Sequence, residues 1–297
     1  MSKILGERES KMLPIEFLER MEKMLGNDYR AFLESYDKEE YKALRFNPLR
    51  GKQEDFDRNN SFHLNSVPWE ENGYYYEEED KPGKHPYHEA GVYYIQEPSA
   101  MAPVHFLNPR PGETILDLCA APGGKSVLLA KKCGQVTSFE LHEHRVELIR
   151  QYKERMGVKN VTELQKDSAV FDAAYEEKFD AVLCDAPCSG YGTVSENPDI
   201  KLFRKKEDFA ALAKAQKSIL STVSRYVKKG GALYYSTCSL FACENDKTVE
   251  EFLKAHPNFK VEGLESPLSH DKKKYGLQFL PDAAYGAGFY VCKLIKQ

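Results

Sequence analysis

From residue 114 to the end of the chain, apolar strand-like runs alternate with helix-like segments. This alternation limits the possible folds more than any other feature. TILDLCA (114–120) reads as a strand and GGKSVLLAKKC (123–133) as a helix; QVTSFEL (135–141) and HEHRVELIRQYKERMG (142–157) repeat the pair. VTELQKD (161–167) and FDAVLCDA (179–186) are strands, 207–228 a helix, GALYYSTC (231–238) a strand and CENDKTVEEFLKAH (243–256) a helix. FKVEGL (259–264) and GFYVCKLI (288–295) close the chain as strands. Such a pattern predicts an α/β fold, a parallel sheet with helices on both faces. Ligands of such sheets bind outside the carboxyl ends of the strands, near the point where the strand order reverses.

The first hundred residues follow another pattern. Apolar positions at 11–35 recur at helical spacing (Leu13, Phe17, Met21, Met24, Leu25, Phe32, Leu33), and YKALRFNPLR (41–50) reads as a strand stopped by Asn-Pro. Residues 71–91, polar, aromatic and broken by Pro and Gly, read as a connector. The spacing predicts a smaller α+β domain over 1–100 and a larger one over 101–297. No apolar run is long enough to span a membrane, and the N-terminus lacks the apolar centre of a signal peptide, so a cytoplasmic location is expected. Seven cysteines without a paired framework suggest free thiols. The net charge of −4 argues against a nonspecific nucleic-acid binder. Lysines and arginines nevertheless cluster at 201–229 and in HDKKKY (270–275), either as a solvated face or as a surface for phosphate.

LDLCAAPGGKS (116–126) follows a strand and opens a helix. Gly123 and Gly124 allow close approach of a ligand to backbone, though the stretch matches neither of the common phosphate-binding glycine motifs. Glu140 ends the next strand 23 residues after Asp117, near the spacing at which an acid meets a nucleotide ribose. Asp167 ends the third strand. Three acids at successive strand ends beside a glycine turn favour an adenosine-type ligand. Two further strand ends carry thiols: Cys188 in DAPCSG and Cys238 in YYSTCS. A thiol there suits a reaction needing a soft nucleophile, since its thiolate is strongly nucleophilic even as a minor species. Cys184, Cys292 and Cys133 read as small buried hydrophobes, and Cys119 as a lining residue of the glycine turn. The cysteine spacings do not suit zinc, so no metal is expected.

DLCAAPGGKS, DAPCSG and YYSTCS, in that order, together with ALRFNPLR and GVYYIQEPSAM, resemble the successive motifs of the Sun-family RNA (cytosine-5)-methyltransferases. The resemblance runs from about residue 10 to 297. It implies a Rossmann-like S-adenosylmethionine-dependent methyltransferase sheet with a smaller RNA-binding α+β domain before it. In the sheet common to methyltransferases the fourth and fifth strands are neighbours, so both thiols would open into one cleft. The cofactor would be held by Cys119, Ala120, Ala121, Pro122, Gly123, Gly124 and Lys125, with Glu140 at the ribose and Asp167 at the adenine. Asp185 would face both the methionine part and the target base. The resemblance makes Cys238 the attacking thiol and Cys188 the one that helps release product; the residues alone do not say which is which. Lys125 either orients the base or solvates the helix N-terminus. RNA is the implied partner, 16S rRNA first and tRNA second, met by a monomer; a noncatalytic RNA-binding assembly factor is the rival reading. The family's last motif usually carries an acid where this chain has Ala287. Larger relatives carry a further C-terminal RNA-binding domain, which would leave targeting to residues 1–100 and the basic segment.

Overall fold

The structure, a computed structural model, describes residues 13–297 apart from 37–39, 195–196, 198–199, 201–205, 267 and 282–284. The helical spacing near the N-terminus gives two helices, Ile15–Leu25 and Tyr29–Ser35, separated by a tight turn at Gly26–Asp28. ALRF lies in strand β1 (Lys42–Phe46). With β2 (Asn65–Ser66), β3 (Gly73–Tyr76) and β4 (Tyr93–Ile95) it forms a four-stranded sheet ordered β2-β3-β1-β4. β3 corrects the expectation of a connector over 71–91. It pairs antiparallel with β1, Lys42 opposite Tyr76 and Arg45 opposite Gly73. Three consecutive tyrosines have strong strand propensity, and the acidic and Pro-rich flanks do not override it.

The second sheet contains β5 (Thr114–Leu118), β6 (Gln135–Glu140), β7 (Val161–Gln165), β8 (Phe179–Asp185), β9 (Val227–Thr237), β10 (Phe259–Glu262), β11 (Asp271–Lys272), β12 (Leu277–Phe279) and β13 (Phe289–Lys296). Its order is β11-β12-β13-β9-β8-β5-β6-β7, and β10 also pairs with β13. β5 to β9 are parallel to their neighbours, whereas β13 runs antiparallel to β9, so the sheet is mixed at one end. The helix expected over 207–228 ends at Val223, and β9 starts at Val227, earlier than the sequence indicates.

Neighbouring residues on a strand face opposite ways. Ile115 therefore joins the core with Val104 and Leu128, under helices Ala102–Leu107 and Gly124–Ala130. Leu116 joins the other core with Leu220 and Phe252, under helices Lys206–Val223 and Asp246–Ala255. Helices thus cover both faces. A third cluster joins Phe17, Met21 and Phe32 of the N-terminal helices to Tyr191, Leu240 and Phe241, just beyond the carboxyl ends of β8 and β9. From β5 the chain order runs to β6 on one side and β8 on the other. The carboxyl ends of β5 and β8 therefore mark the switch point.

Candidate active site

At that switch point lies a cavity of about 230 Å³. Its lining includes Asp117, Cys119, Ala120, Ala121, Pro122, Gly124, Lys125 and Asp185 from the large sheet, and Tyr94, Gln96, Glu97 and Ala100 from the N-terminal part. Cys119 sits at φ +56° and Gly123 at φ +110°, which folds the turn back over the strand end. A β-carbon on Gly124 would lie 3.1 Å from the Tyr94 ring and 3.2 Å from the Gln96 amide nitrogen, so this glycine lets the two walls approach. The buried Arg45 of β1 donates to the Gly124 carbonyl at 3.2 Å.

Lys125 Nζ contacts Asp185 Oδ2 at 2.8 Å, and Ser236 Oγ donates to Asp185 Oδ1 at 2.7 Å. Both oxygens of this carboxylate are therefore fixed in direction. Burial works against the charge on Lys125, but Asp185, Asp117 and the Cys238 thiol outweigh it and lift its pKa above the ordinary lysine value. Lys125 is thus a cation held in place beside the cleft. Asp117 is fully buried and accepts from Ser126 Oγ at 2.6 Å; burial pushes its pKa up to about 7. Its Oδ1 and the Gln96 Oε1 are buried acceptors without a hydrogen-bond partner, and both residues line the cavity.

Glu140 lies beneath the turn, outside the lining of the cavity. Its Oε1 accepts from Leu141 N at 3.0 Å and from Arg145 Nη1 at 3.2 Å, and its Oε2 from Ala121 N at 3.3 Å. Oε2 keeps acceptor capacity. Asp167 lies two residues past β7, exposed, and its Oδ1 accepts from Ala169 N at 2.8 Å.

Because β8 and β9 are parallel neighbours, the turns that follow them lie side by side. The Sγ atoms of Cys188 and Cys238 are 3.1 Å apart. The Cys188 thiol is held well above the ordinary value, first by its hydrogen bond with Cys238 and then by burial. Cys184 and Cys292 are buried inside β8 and β13, where the sequence places them as core. Ala287 is also buried, and its N–H donates to Glu97 Oε1 at 2.8 Å, so a carboxylate does meet this turn, from a different part of the chain.

In the basic segment, Lys201, Arg204 and Lys205 lie outside the described residues. Further along, Lys217 pairs with Glu251, Arg225 with Glu176 and Lys228 with Asp180. Lys273 and Lys274 pair with Asp271 and Glu250. Partly exposed pairs of this kind fit a solvated face.

The sequence model described as 16S rRNA methyltransferase RsmB/F matches residues 104–295. The chain belongs to the RsmB/F family. A second model, the N-terminal domain of 16S rRNA methyltransferase RsmF, matches residues 13–98. A probable ribosomal RNA small subunit methyltransferase B of Bacillus subtilis is 40% identical over 212 residues, covering 68% of this chain and 47% of its own length. The ribosomal RNA small subunit methyltransferase B of Citrobacter koseri is 39% identical over 211 residues, with 70% and 48% covered. The chain thus spans about half the length of these curated relatives. Among solved structures, a methyltransferase homolog protein from Pyrococcus horikoshii superposes with a TM-score of 0.82 at 28% identity, covering 95% of each chain. NSun6 from the same organism, solved with SFG, superposes with a TM-score of 0.80 at 19% identity, covering 95% of this chain and 98% of its own; this likeness is one of fold. Among the described residues no helix is long and apolar enough to cross a membrane.

Sequence reasoning left out Tyr94, Gln96, Glu97 and Ser236. The first three sit in or beside GVYYIQEPSAM, a stretch noticed only as a motif. Ser236 sits in YYSTCS, a stretch whose thiol alone the sequence brings forward.

Proposed function

We propose that this chain is an S-adenosylmethionine-dependent RNA (cytosine-5)-methyltransferase acting on small-subunit ribosomal RNA through a covalent cysteine–cytosine adduct. The observation that carries this reading is the pair of thiols 3.1 Å apart beside a fixed Lys125–Asp185 pair. The family supports methyl transfer to rRNA, and a binding module needs neither thiol.

The cofactor would be held by the turn Cys119–Lys125. The two open acceptors, on Asp117 and Gln96, suit a cationic group such as its ammonium. Glu140 would meet the ribose through Oε2, and Asp167 the adenine. When bound, S-adenosylmethionine supplies an electrophilic methyl group to carbon 5 of the base.

Carbon 5 of cytosine is a weak nucleophile. Addition of the Cys238 thiolate to carbon 6 makes a new C–S bond and pushes electron density to carbon 5. Asp185, oriented by Lys125 and Ser236, accepts from ring nitrogen 3 as that nitrogen takes a proton from solvent, which assists addition. After methylation the proton on carbon 5 passes to the Cys188 thiolate, ring nitrogen 3 returns its proton to solvent, the C5–C6 double bond re-forms, and the C–S bond breaks with its electron pair returning to Cys238. Cys188, one hydrogen bond away, assists that release. A base within a helix would be flipped out of the stack first, at a cost of a few kcal/mol. Residues 1–100 serve as an RNA-binding domain and 101–297 as the catalytic one, in a cytoplasmic monomer.

Removing the two thiols tests this. Cys238→Ala is expected to form no protein–RNA adduct on denaturing electrophoresis. Cys188→Ala is expected to accumulate more adduct than the wild type, dependent on S-adenosylmethionine, because elimination stalls. Exchange of the two phenotypes would reverse the assignment. No adduct from any form, and no methyl transfer to rRNA or tRNA, would leave only RNA binding.

A further inference from the structure

Glu244 is fully buried, just before helix Asp246–Ala255, and lies outside the lining of the cofactor cleft. Its Oε1 accepts from Ser189 N at 2.8 Å and from Gln216 Nε2 at 3.2 Å. Its Oε2 accepts from Ser189 Oγ at 2.6 Å and from Ser239 Oγ. Ser189 follows Cys188, and Ser239 follows Cys238. The Gln216 amide also donates to Pro187 O at 2.9 Å, on the other side of Cys188. One carboxylate therefore joins both thiol-bearing turns to each other and to the long helix.

The donors are a backbone N–H, two hydroxyls and a side-chain amide, all neutral. A buried carboxylate is costly without such bonds. A carboxylate offers about four acceptor positions, and four donors converge here. An amide in its place would turn two of those positions into donors. The site thus calls for a group that accepts on both of its terminal atoms.

We propose that Glu244 is a positioning residue that sets the spacing and orientation of the Cys188 and Cys238 thiols. It touches neither base nor cofactor; it acts through the two serines. The part this plays in catalysis rests on the roles given to the thiols above, but the spacing itself does not.

The test uses the full chain as Glu244→Gln, Glu244→Ala and the double variant Ser189→Ala/Ser239→Ala. Three quantities are measured: S-adenosylmethionine affinity by calorimetry, kcat and KM on RNA, and the rate at which diamide joins Cys188 to Cys238, followed by peptide mass. In that reaction the two thiols are oxidised to a disulfide and the diazene is reduced to a hydrazine. Each variant is expected to bind S-adenosylmethionine within about twofold of the wild type and to pair its thiols at least about tenfold more slowly. kcat is expected to fall about 100-fold with KM for RNA little changed, as misplacement of reacting groups by about 1 Å implies. Glu244→Gln is expected to be milder than Glu244→Ala, since its oxygen still accepts from Ser189 N. A variant that binds the cofactor normally and pairs its thiols at the wild-type rate overturns the proposal. If Glu244→Ala loses cofactor binding through misfolding, the serine double variant decides by the same two readouts. Slowed pairing in the variants, alongside a wild type that forms no adduct on RNA, upholds the positioning role and rejects the catalytic reading of the thiols.

Discussion

Asp117 has an unpartnered oxygen at the cleft and a pKa raised to about 7 by burial. The sign follows from that direction. A carboxyl raised from an ordinary value near 4 destabilises the fold increasingly as pH rises from about 4 to 7, because the buried charge is the disfavoured form. A cationic ligand group beside it reverses the preference. S-Adenosylmethionine affinity is therefore expected to rise as pH climbs towards 7 and to level off above it, by up to about tenfold in total for each unit that binding lowers this pKa. Lys125, which favours the charged form, and Asp185, which opposes it, bound the effect. Calorimetry at pH 6 in buffers of different ionisation enthalpy should show proton release on binding, and Asp117→Asn should abolish it. Release unchanged in that variant would place the titration elsewhere. The placement of such residues was legible in the sequence because short motifs carry them: the glycine turn, Asp185 and both thiols each lie at a strand end or a few residues past one. Glu244 lies in no such motif, and Gln96 and Ser236, although they sit in GVYYIQEPSAM and YYSTCS, were not singled out there. Each acts on a partner far away in the chain, and alone each resembles an ordinary polar residue.

The short helical turn Tyr191–Thr193 links the β8 turn to the rest of the site. Gly192 N donates to Cys238 O at 2.8 Å, and Gly288 N donates to Gly192 O at 2.8 Å. The element thus fastens the Cys238 turn to the start of β13. A β-carbon on Gly192 would lie 1.9 Å from the Gly288 carbonyl oxygen, where only backbone could give way. Gly192→Ala is expected to cost about 1–3 kcal/mol, seen as a melting temperature lower by about 2–12 °C, and to remove the RNA adduct. Cofactor affinity should change little. A variant that melts and reacts like the wild type would show that this fastening is dispensable. At this scale the sequence indicated the parallel strands well, since buried strands form continuous apolar runs. It missed the start of β9: the helix expected over 207–228 takes in Val227 and Lys228, and the expected strand begins only at Gly231, past Lys229 and Gly230. In the structure Lys228 pairs with Asp180, and a β-carbon on Gly231 would lie 2.7 Å from Asp180 O, so contact with β8 holds these residues in a strand.

Across the whole molecule the N-terminal part supports the two halves of the site separately. Residues 94–97 and Ala100 wall the cofactor cleft. The first helix instead backs the thiol turns: the Phe17 ring stacks on Tyr191 at 4.9 Å and meets Phe241 edge-on at 6.0 Å, and the Arg20 guanidinium lies 3.9 Å from the centre of the Phe241 ring. Tyr191 and Phe241 each lie three residues beyond a thiol, so one helix presses on both turns at equivalent places. Separate supports imply separable defects. Phe17→Leu keeps an apolar side chain but loses the stack, at about 1 kcal/mol. It is expected to slow adduct formation about tenfold, less than the roughly 100-fold of a full 1 Å displacement, with cofactor affinity unchanged. Gln96→Leu removes an open acceptor at the cleft and is expected to weaken S-adenosylmethionine binding by about 10–150-fold, the cost of a lost hydrogen bond to a charged group. At saturating cofactor it should form adduct at the wild-type rate. Calorimetry and quenched denaturing electrophoresis on both variants complete the cross. If Phe17→Leu weakened cofactor binding as much as Gln96→Leu, the N-terminal part would act as one rigid lid over the site rather than as two supports.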